Sequence, residues 1–132
     1  MAKKRKGNPV NGWVILDKPA GLGSTTAVSI VKRIFNAQKA GHAGTLDPAA
    51  SGVLPVALGE ATKTIPYVTD GEKTYAFTVR FGQATDTDDA EGQVIAKTDK
   101  IPSEKEILSV IPLFCGEIEQ VPPKYSAVHI NG

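Results

Sequence analysis

The stretch Gly41-His42-Ala43-Gly44-Thr45-Leu46-Asp47-Pro48 constrains this chain most, because no regular element can run through it. Gly41 and Gly44 accept backbone angles that a side chain resists, while Pro48 fixes its own φ and steers Asp47 away from the helical region. Apolar segments flank the stretch, residues 27–35 before it and residues 53–58 after it. It therefore reads as a stiff turn between two packed elements, with one carboxylate near its tip. Nucleophilic or acid/base chemistry needs a side chain held in this way by rigid surroundings. The competing reading is an Asp that closes a turn on its own backbone, as Asp-Pro sequences often do, and local chemistry alone favours it.

With 132 residues, 41% of them apolar and 22% charged, the chain is long enough for one globular domain with a real core. No apolar run reaches membrane-spanning length, and the basic start (Lys3, Lys4, Arg5, Lys6) leads into Gly7-Asn8-Pro9 and not into a signal-peptide core. Cys115 is the single cysteine, so neither an internal disulfide nor a cysteine-based zinc site can form within one chain, and a cytoplasmic setting is expected. The net charge of +1 hides an asymmetry. Residues 1–40 carry eight cations against Asp17 alone, whereas residues 86–119 carry nine acids against three lysines. A positive N-terminal third suits a phosphate backbone, though a solvated tail with ordinary surface lysines would look the same.

Residues 1–9 read as a flexible basic arm and residues 10–132 as the folded portion. Residues 12–16 predict a short buried strand ending at Asp17-Lys18-Pro19. Ser24 and Thr25 are candidate helix caps, and Ala27, Val28, Val31, Ile34 and Phe35 then recur at helical spacing. Beyond the Asp47 turn, residues 53–58 form an apolar run broken by Pro55, and residues 61–68 predict a short helix that Pro66 kinks. Residues 73–81 give the clearest strand signal, with Tyr75, Phe77, Val79 and Phe81 on one face. Residues 82–92 read as polar loop, and residues 93–96 as a strand returning on the preceding one. Ser103 and Glu106 make a capping box for a helix through Ile107, Leu108, Ile111 and Leu113. Pro122-Pro123 introduces an extended segment over residues 125–130, ending on Asn131-Gly132, a strong hairpin signal with no return strand. That ending predicts the N-terminal part of a longer protein. Strands dominate and hairpin signals recur, so the expected class is α+β, with a mixed, mostly antiparallel sheet and flanking helices.

Several motifs fail on inspection. Gly21-Leu22-Gly23-Ser24-Thr25-Thr26 follows a strand and opens a helix, but Thr26 stands where a dinucleotide-binding turn has its third glycine. Lys63-Thr64 lacks the glycines of a phosphate loop, and the acidic run from Asp86 to Gly92 lacks the spacing of a calcium loop. His42 and His129 are too few and too far apart to argue for a metal.

Taken in order, Asp17-Lys18-Pro19, the helix, the Asp47 turn, Ser51-Gly52-Val53-Leu54-Pro55, Gly59-Glu60-Ala61-Thr62-Lys63 and Lys73-Thr74-Tyr75 closely resemble the bacterial tRNA pseudouridine(55) synthase family. Gly82-Gln83-Ala84-Thr85-Asp86-Thr87-Asp88 and Pro122-Pro123-Lys124-Tyr125-Ser126-Ala127 continue the likeness, which runs from about residue 12 to residue 132. The resemblance implies the pseudouridine synthase fold, left incomplete in this chain, and an isomerase that converts the T-loop uridine of tRNA to pseudouridine on a flipped base. It implies Asp47 as the catalytic carboxylate, Tyr75 as the active-site tyrosine and His42 as a residue engaging the RNA loop. Lys18 and Lys63 would support the site, with Gly44 and Thr45 of the same turn on the RNA side. The implied partner is the T-arm stem-loop of tRNA, with no metal, no nucleotide cofactor and no membrane. By pattern alone Tyr75 reads as a core strand aromatic, since Phe77, Val79 and Phe81 share its face.

The family's catalytic domain continues past residue 132 with an arginine-bearing strand that pairs with the aspartate, a leucine near the base and a C-terminal RNA-binding region. The stretch alone is therefore expected to be inactive or nearly so. Two other readings remain: a non-catalytic RNA-binding module in which Asp47 is structural, and a nucleotide-binding domain using the Gly21 turn.

Overall fold

The computed structural model describes residues 6–123, and the expected extended segment and hairpin signal at residues 125–132 lie outside them. Among the described residues, five strands, three α-helices and two 3-10 helices make an α+β architecture in the order β1 (Gly12–Lys18), α1 (Ser24–Ile34), β2 (Ala40–His42), β3 (Gly52–Leu58), a 3-10 helix (Gly59–Thr64), α2 (Ile65–Thr69), β4 (Gln83–Thr85), β5 (Val94–Lys97), α3 (Glu104–Val110) and a second 3-10 helix (Ile111–Phe114). The chain divides between Thr74 and Tyr75 into two units.

The first unit is built on a three-stranded sheet in which β3 lies between β1 and β2, antiparallel to both. β1 runs two residues further than its apolar core predicts. Asp17 and Lys18 still pair with Val53 and Gly52, because β3 offers a partner along their whole length. Pro55 is tolerated inside β3 although it has no N–H to give. Leu54, Val56 and Leu58 alternate onto one face at 1%, 0% and 2% exposure, and Ala27 and Val31 of α1 join them with Ala37 in the core. Burying each of the leucine and valine side chains contributes about 1.5–3 kcal/mol. The apolar stripe of α1 is buried only in part, since Ile34 and Phe35 at its end stay exposed.

Helix α1 departs from expectation at its start. Its N-cap is Gly23, with no side-chain cap, and Ser24 is the first helical residue. A capping hydroxyl is ordinarily worth about 1 kcal/mol, so the Ser24 hydroxyl is directed elsewhere at the expense of its own helix. After β3, Gly59 turns the chain at φ +58, where a Cβ would lie 2.2 Å from Asn11 Oδ1 and 2.3 Å from the Val10 carbonyl oxygen. The single helix expected over residues 61–68 is two pieces, and Pro66 sits in the first turn of α2, where its missing N–H costs no hydrogen bond. Within the stretch read as a flexible arm, Asn8 N–H donates to the Asn36 carbonyl at 2.6 Å, and Gln38 Nε2 donates to the Gly7 carbonyl at 3.0 Å.

In the second unit the strand expected over residues 73–81 does not form. Tyr75, Phe77, Val79 and Phe81 are all exposed. Alternation specifies a half-buried strand only where a partner supplies both the hydrogen-bond ladder and a face to pack on, and no described strand pairs with this segment. The sheet that does form, β4 with β5, uses Gln83–Thr85 from the expected polar loop and is interrupted between Ala84 and Thr85. The capping box is present: Ser103 Oγ accepts from Glu106 N–H at 3.3 Å, and Glu106 Oε2 accepts from Ser103 N–H at 2.8 Å.

Candidate active site

The Asp47 turn connects β2 to β3 and is fixed at five points. Ala43 N–H donates to the Pro55 carbonyl at 2.9 Å, extending the β2–β3 ladder by one residue. Gly44 then takes φ +85, the left-handed region, and its carbonyl faces His42 Nδ1 at 2.5 Å. A carbonyl only accepts, so Nδ1 carries the proton, and in a neutral ring Nε2 is left as the accepting nitrogen. Two residues on, the Ser24 hydroxyl donates to the Leu46 carbonyl at 2.7 Å and accepts from Leu46 N–H at 3.0 Å. Pro48 is held through its carbonyl, which accepts from Gly21 N–H at 2.6 Å, and Ala50 N–H closes the turn on the Asp47 carbonyl at 3.0 Å.

Lys18 secures the same turn from below. It is a lysine at 0% exposure, with Nζ donating to the carbonyls of Leu22 (2.6 Å), Ala50 (2.6 Å) and Pro19 (2.9 Å). An ammonium has three protons, and here each has an acceptor, which is how a buried cation is tolerated. These bonds draw together the end of β1, the turn before α1 and the end of the Asp47 turn.

Against this tightly bonded backbone, the Asp47 side chain is exposed and makes no hydrogen bond or ion pair with any described residue. It is an accessible carboxylate on an immobilised loop. His42 is half-buried and Thr45 is exposed beside it. Lys63 is exposed on the 3-10 helix and forms a close ion pair with Glu60. Tyr75 belongs to the second unit and is 60% exposed. Thus Lys18, His42, Gly44, Thr45 and Asp47 gather at one loop of the first unit. Lys63 sits in the adjoining surface helix, while Tyr75 is described within its own unit. No group of three or more His, Cys, Asp or Glu side chains among the described residues is arranged to hold a metal.

Sequence reading missed the use of Ser24. Its position at a helix start gives a capping signature, whereas its true partner lies 22 residues away, beyond any local pattern.

Comparison with known proteins assigns the class. A sequence model described as TruB family pseudouridylate synthase, N-terminal domain, matches residues 32–132. The proteins named tRNA pseudouridine synthase B from Ruegeria pomeroyi and from Chelativorans sp. are 60% and 61% identical to this chain, over 100% and 98% of its length. The chain belongs to the TruB family of pseudouridylate synthases. It spans 44% and 41% of those two relatives. Among solved structures, one described as a Cbf5-Nop10-Gar1 complex is 32% identical, with a TM-score of 0.58 over 96% of this chain and 38% of the other. That likeness extends over nearly the whole chain and supports the α+β fold.

Proposed function

We propose that this chain carries the catalytic loop of a tRNA pseudouridine synthase that isomerises the T-loop uridine 55, with Asp47 as the reacting carboxylate. The observation that carries the reading is the contrast within one loop: a backbone held at five points and an Asp47 carboxylate held by no described residue. Pseudouridine formation breaks the uracil N1–C1′ bond and makes a C5–C1′ bond, while one proton leaves C5 and another arrives at N1. Atoms and electrons balance within the substrate, so the chemistry calls for no oxidant or nucleotide cofactor. An ionised Asp47 acts as nucleophile at the ribose C1′ or at uracil C6, or it assists removal of a ribose proton.

The uridine must leave its stack to reach a loop of this kind, at a cost of a few kcal/mol. His42, five residues before Asp47 in sequence, engages the RNA loop beside the extruded base, and Gly44 and Thr45 line the same approach. Tyr75 offers an exposed ring for stacking, worth about 1–3 kcal/mol per base. Lys18 acts by bracing the loop, since its protons are already shared among three carbonyls. Lys63 and the exposed Lys32 and Arg33 at the end of α1 supply salt-dependent phosphate contacts. In this reading residues 10–132 are the N-terminal portion of a catalytic domain, acting on the T-arm of tRNA in the cytoplasm.

Asp47→Asn tests the proposal in a full-length protein carrying this segment. Conversion of a T-loop stem-loop should fall by at least about 10³-fold while RNA affinity stays nearly unchanged. Undiminished conversion by Asp47→Asn would leave the segment as a non-catalytic RNA-binding module.

A further inference from the structure

Among the described residues only two buried side chains are polar, Lys18 and Ser24. Lys18 has three partners spread over two turns, whereas Ser24 has a single partner residue, Leu46, whose N–H and C=O it engages together. Leu46 immediately precedes Asp47. On the far side, Ala50 N–H holds the Asp47 carbonyl at 3.0 Å, and Pro48 fixes its own φ by its ring. The peptide units flanking Asp47 are therefore tied on both sides, and the freedom left to the carboxylate lies mainly in its own side-chain torsions.

We propose that Ser24 is a positioning residue of the Asp47 site: it clamps the backbone ahead of Asp47 so that the carboxylate meets the uridine at a fixed distance. This rests on the reading of Asp47 as the reacting group. Without the hydroxyl, the N–H and C=O of Leu46 lose their common partner and the peptide between Leu46 and Asp47 is free to rotate. A misplacement of about 1 Å at a reacting centre costs about 10²-fold in rate. RNA affinity arises from phosphate contacts and stacked bases, whereas Ser24 is buried with its hydroxyl engaged by Leu46. Its loss should therefore fall on conversion and spare binding. A residue that merely stabilised the fold would not make that division.

Single-turnover conversion of a T-loop stem-loop by a full-length protein carrying this segment supplies the test, with RNA affinity measured on the same variants. Ser24→Ala is expected to slow conversion about 10–100-fold with RNA affinity within about twofold. Ser24→Thr, which keeps the hydroxyl, should recover most of the rate. An alanine variant as fast as wild type, or one whose affinity falls as far as its rate, overturns the proposal. If Ser24→Ala does not fold, Ser24→Cys replaces it, keeping similar volume with a weakly bonding thiol, and a wild-type rate there is equally fatal. Asp47→Asn in the same assay keeps the two questions apart. Activity in that variant defeats the reading of Asp47, whereas its inactivity beside an unimpaired Ser24→Ala defeats only the role of Ser24.

Discussion

The two units of this chain draw on similar apolar alternation and arrive at opposite ends. In β3, Leu54, Val56 and Leu58 are buried, whereas Phe77, at the same spacing from its apolar neighbours, is 82% exposed, and no described residue from 75 to 123 is buried. The difference is neighbours. β3 has a strand on either side and α1 across its face, while residues 74–81 have no strand partner among the described residues. Alternation sets which side chains would share a face. It does not supply the face they need, and without one the apolar surface stays in water and the backbone polar groups bond to solvent.

The sharpest way to break this contrast is to truncate one side chain in each unit and compare the effects. Leu54→Ala should destabilise by about 2–5 kcal/mol, because the cavity it leaves lies among packed strands. Phe77→Ala should change stability by less than about 0.5 kcal/mol, as exposed positions do. Urea unfolding of the 132-residue chain measures both. Comparable losses at the two positions would show that residues 74–81 are packed after all.

A smaller effect is expected at the boundary between core and site. Lys18→Met keeps much of the volume and removes all three ammonium hydrogen bonds, leaving the carbonyls of Pro19, Leu22 and Ala50 without their donor. A loss of about 1–3 kcal/mol should follow, visible as a lowered Tm. Amide exchange should rise most at Ala50, whose N–H closes the Asp47 turn. Uniformly faster exchange across β3 would argue that Lys18 supports the whole sheet and not this turn.

The smallest effect belongs to the second unit, whose described residues hold solvent-exposed hydrogen bonds. The backbone N–H of Ser103, and then its hydroxyl, hold the Glu106 carboxyl below the usual glutamate range. A carboxylate with a depressed folded value contributes stability that is present above its unfolded value and lost as pH falls through the folded one. Acidification below the ordinary glutamate range should therefore loosen the start of α3. Asp89 is depressed as well, first by the Thr87 hydroxyl and then by Glu91 N–H, so the β4–β5 loop should weaken over the same direction of pH. Chemical shifts of Glu106 N–H and Glu91 N–H should report the two losses, and shifts unchanged on acidification would contradict them.

Much of the first unit was legible because its signals are local. Glycine and proline mark the Asp47 turn, helical spacing marks α1, and the apolar run of residues 53–58 marks β3. The capping box was equally plain, since Ser103 and Glu106 satisfy each other within one turn. Less legible were choices between near-equivalent local options. Ser24 suits a cap and a clamp alike, and only the arrival of Leu46 decides between them. β4 lies in a stretch with no strand pattern at all, and it forms because β5 meets it.

The amino-acid order by itself determined where the chain must turn, which segments are apolar, and that one carboxylate sits on a stiff loop between them. Those properties follow from steric limits on glycine and proline and from the period of side chains along helix and strand. Tertiary structure alone decided that Lys18 is a buried brace, that Ser24 serves the loop and not its helix, and that the strongest strand pattern in the chain finds no strand partner among the described residues. Hydrogen-bond partners and burial are properties of what arrives from elsewhere in the chain, and no local pattern contains them.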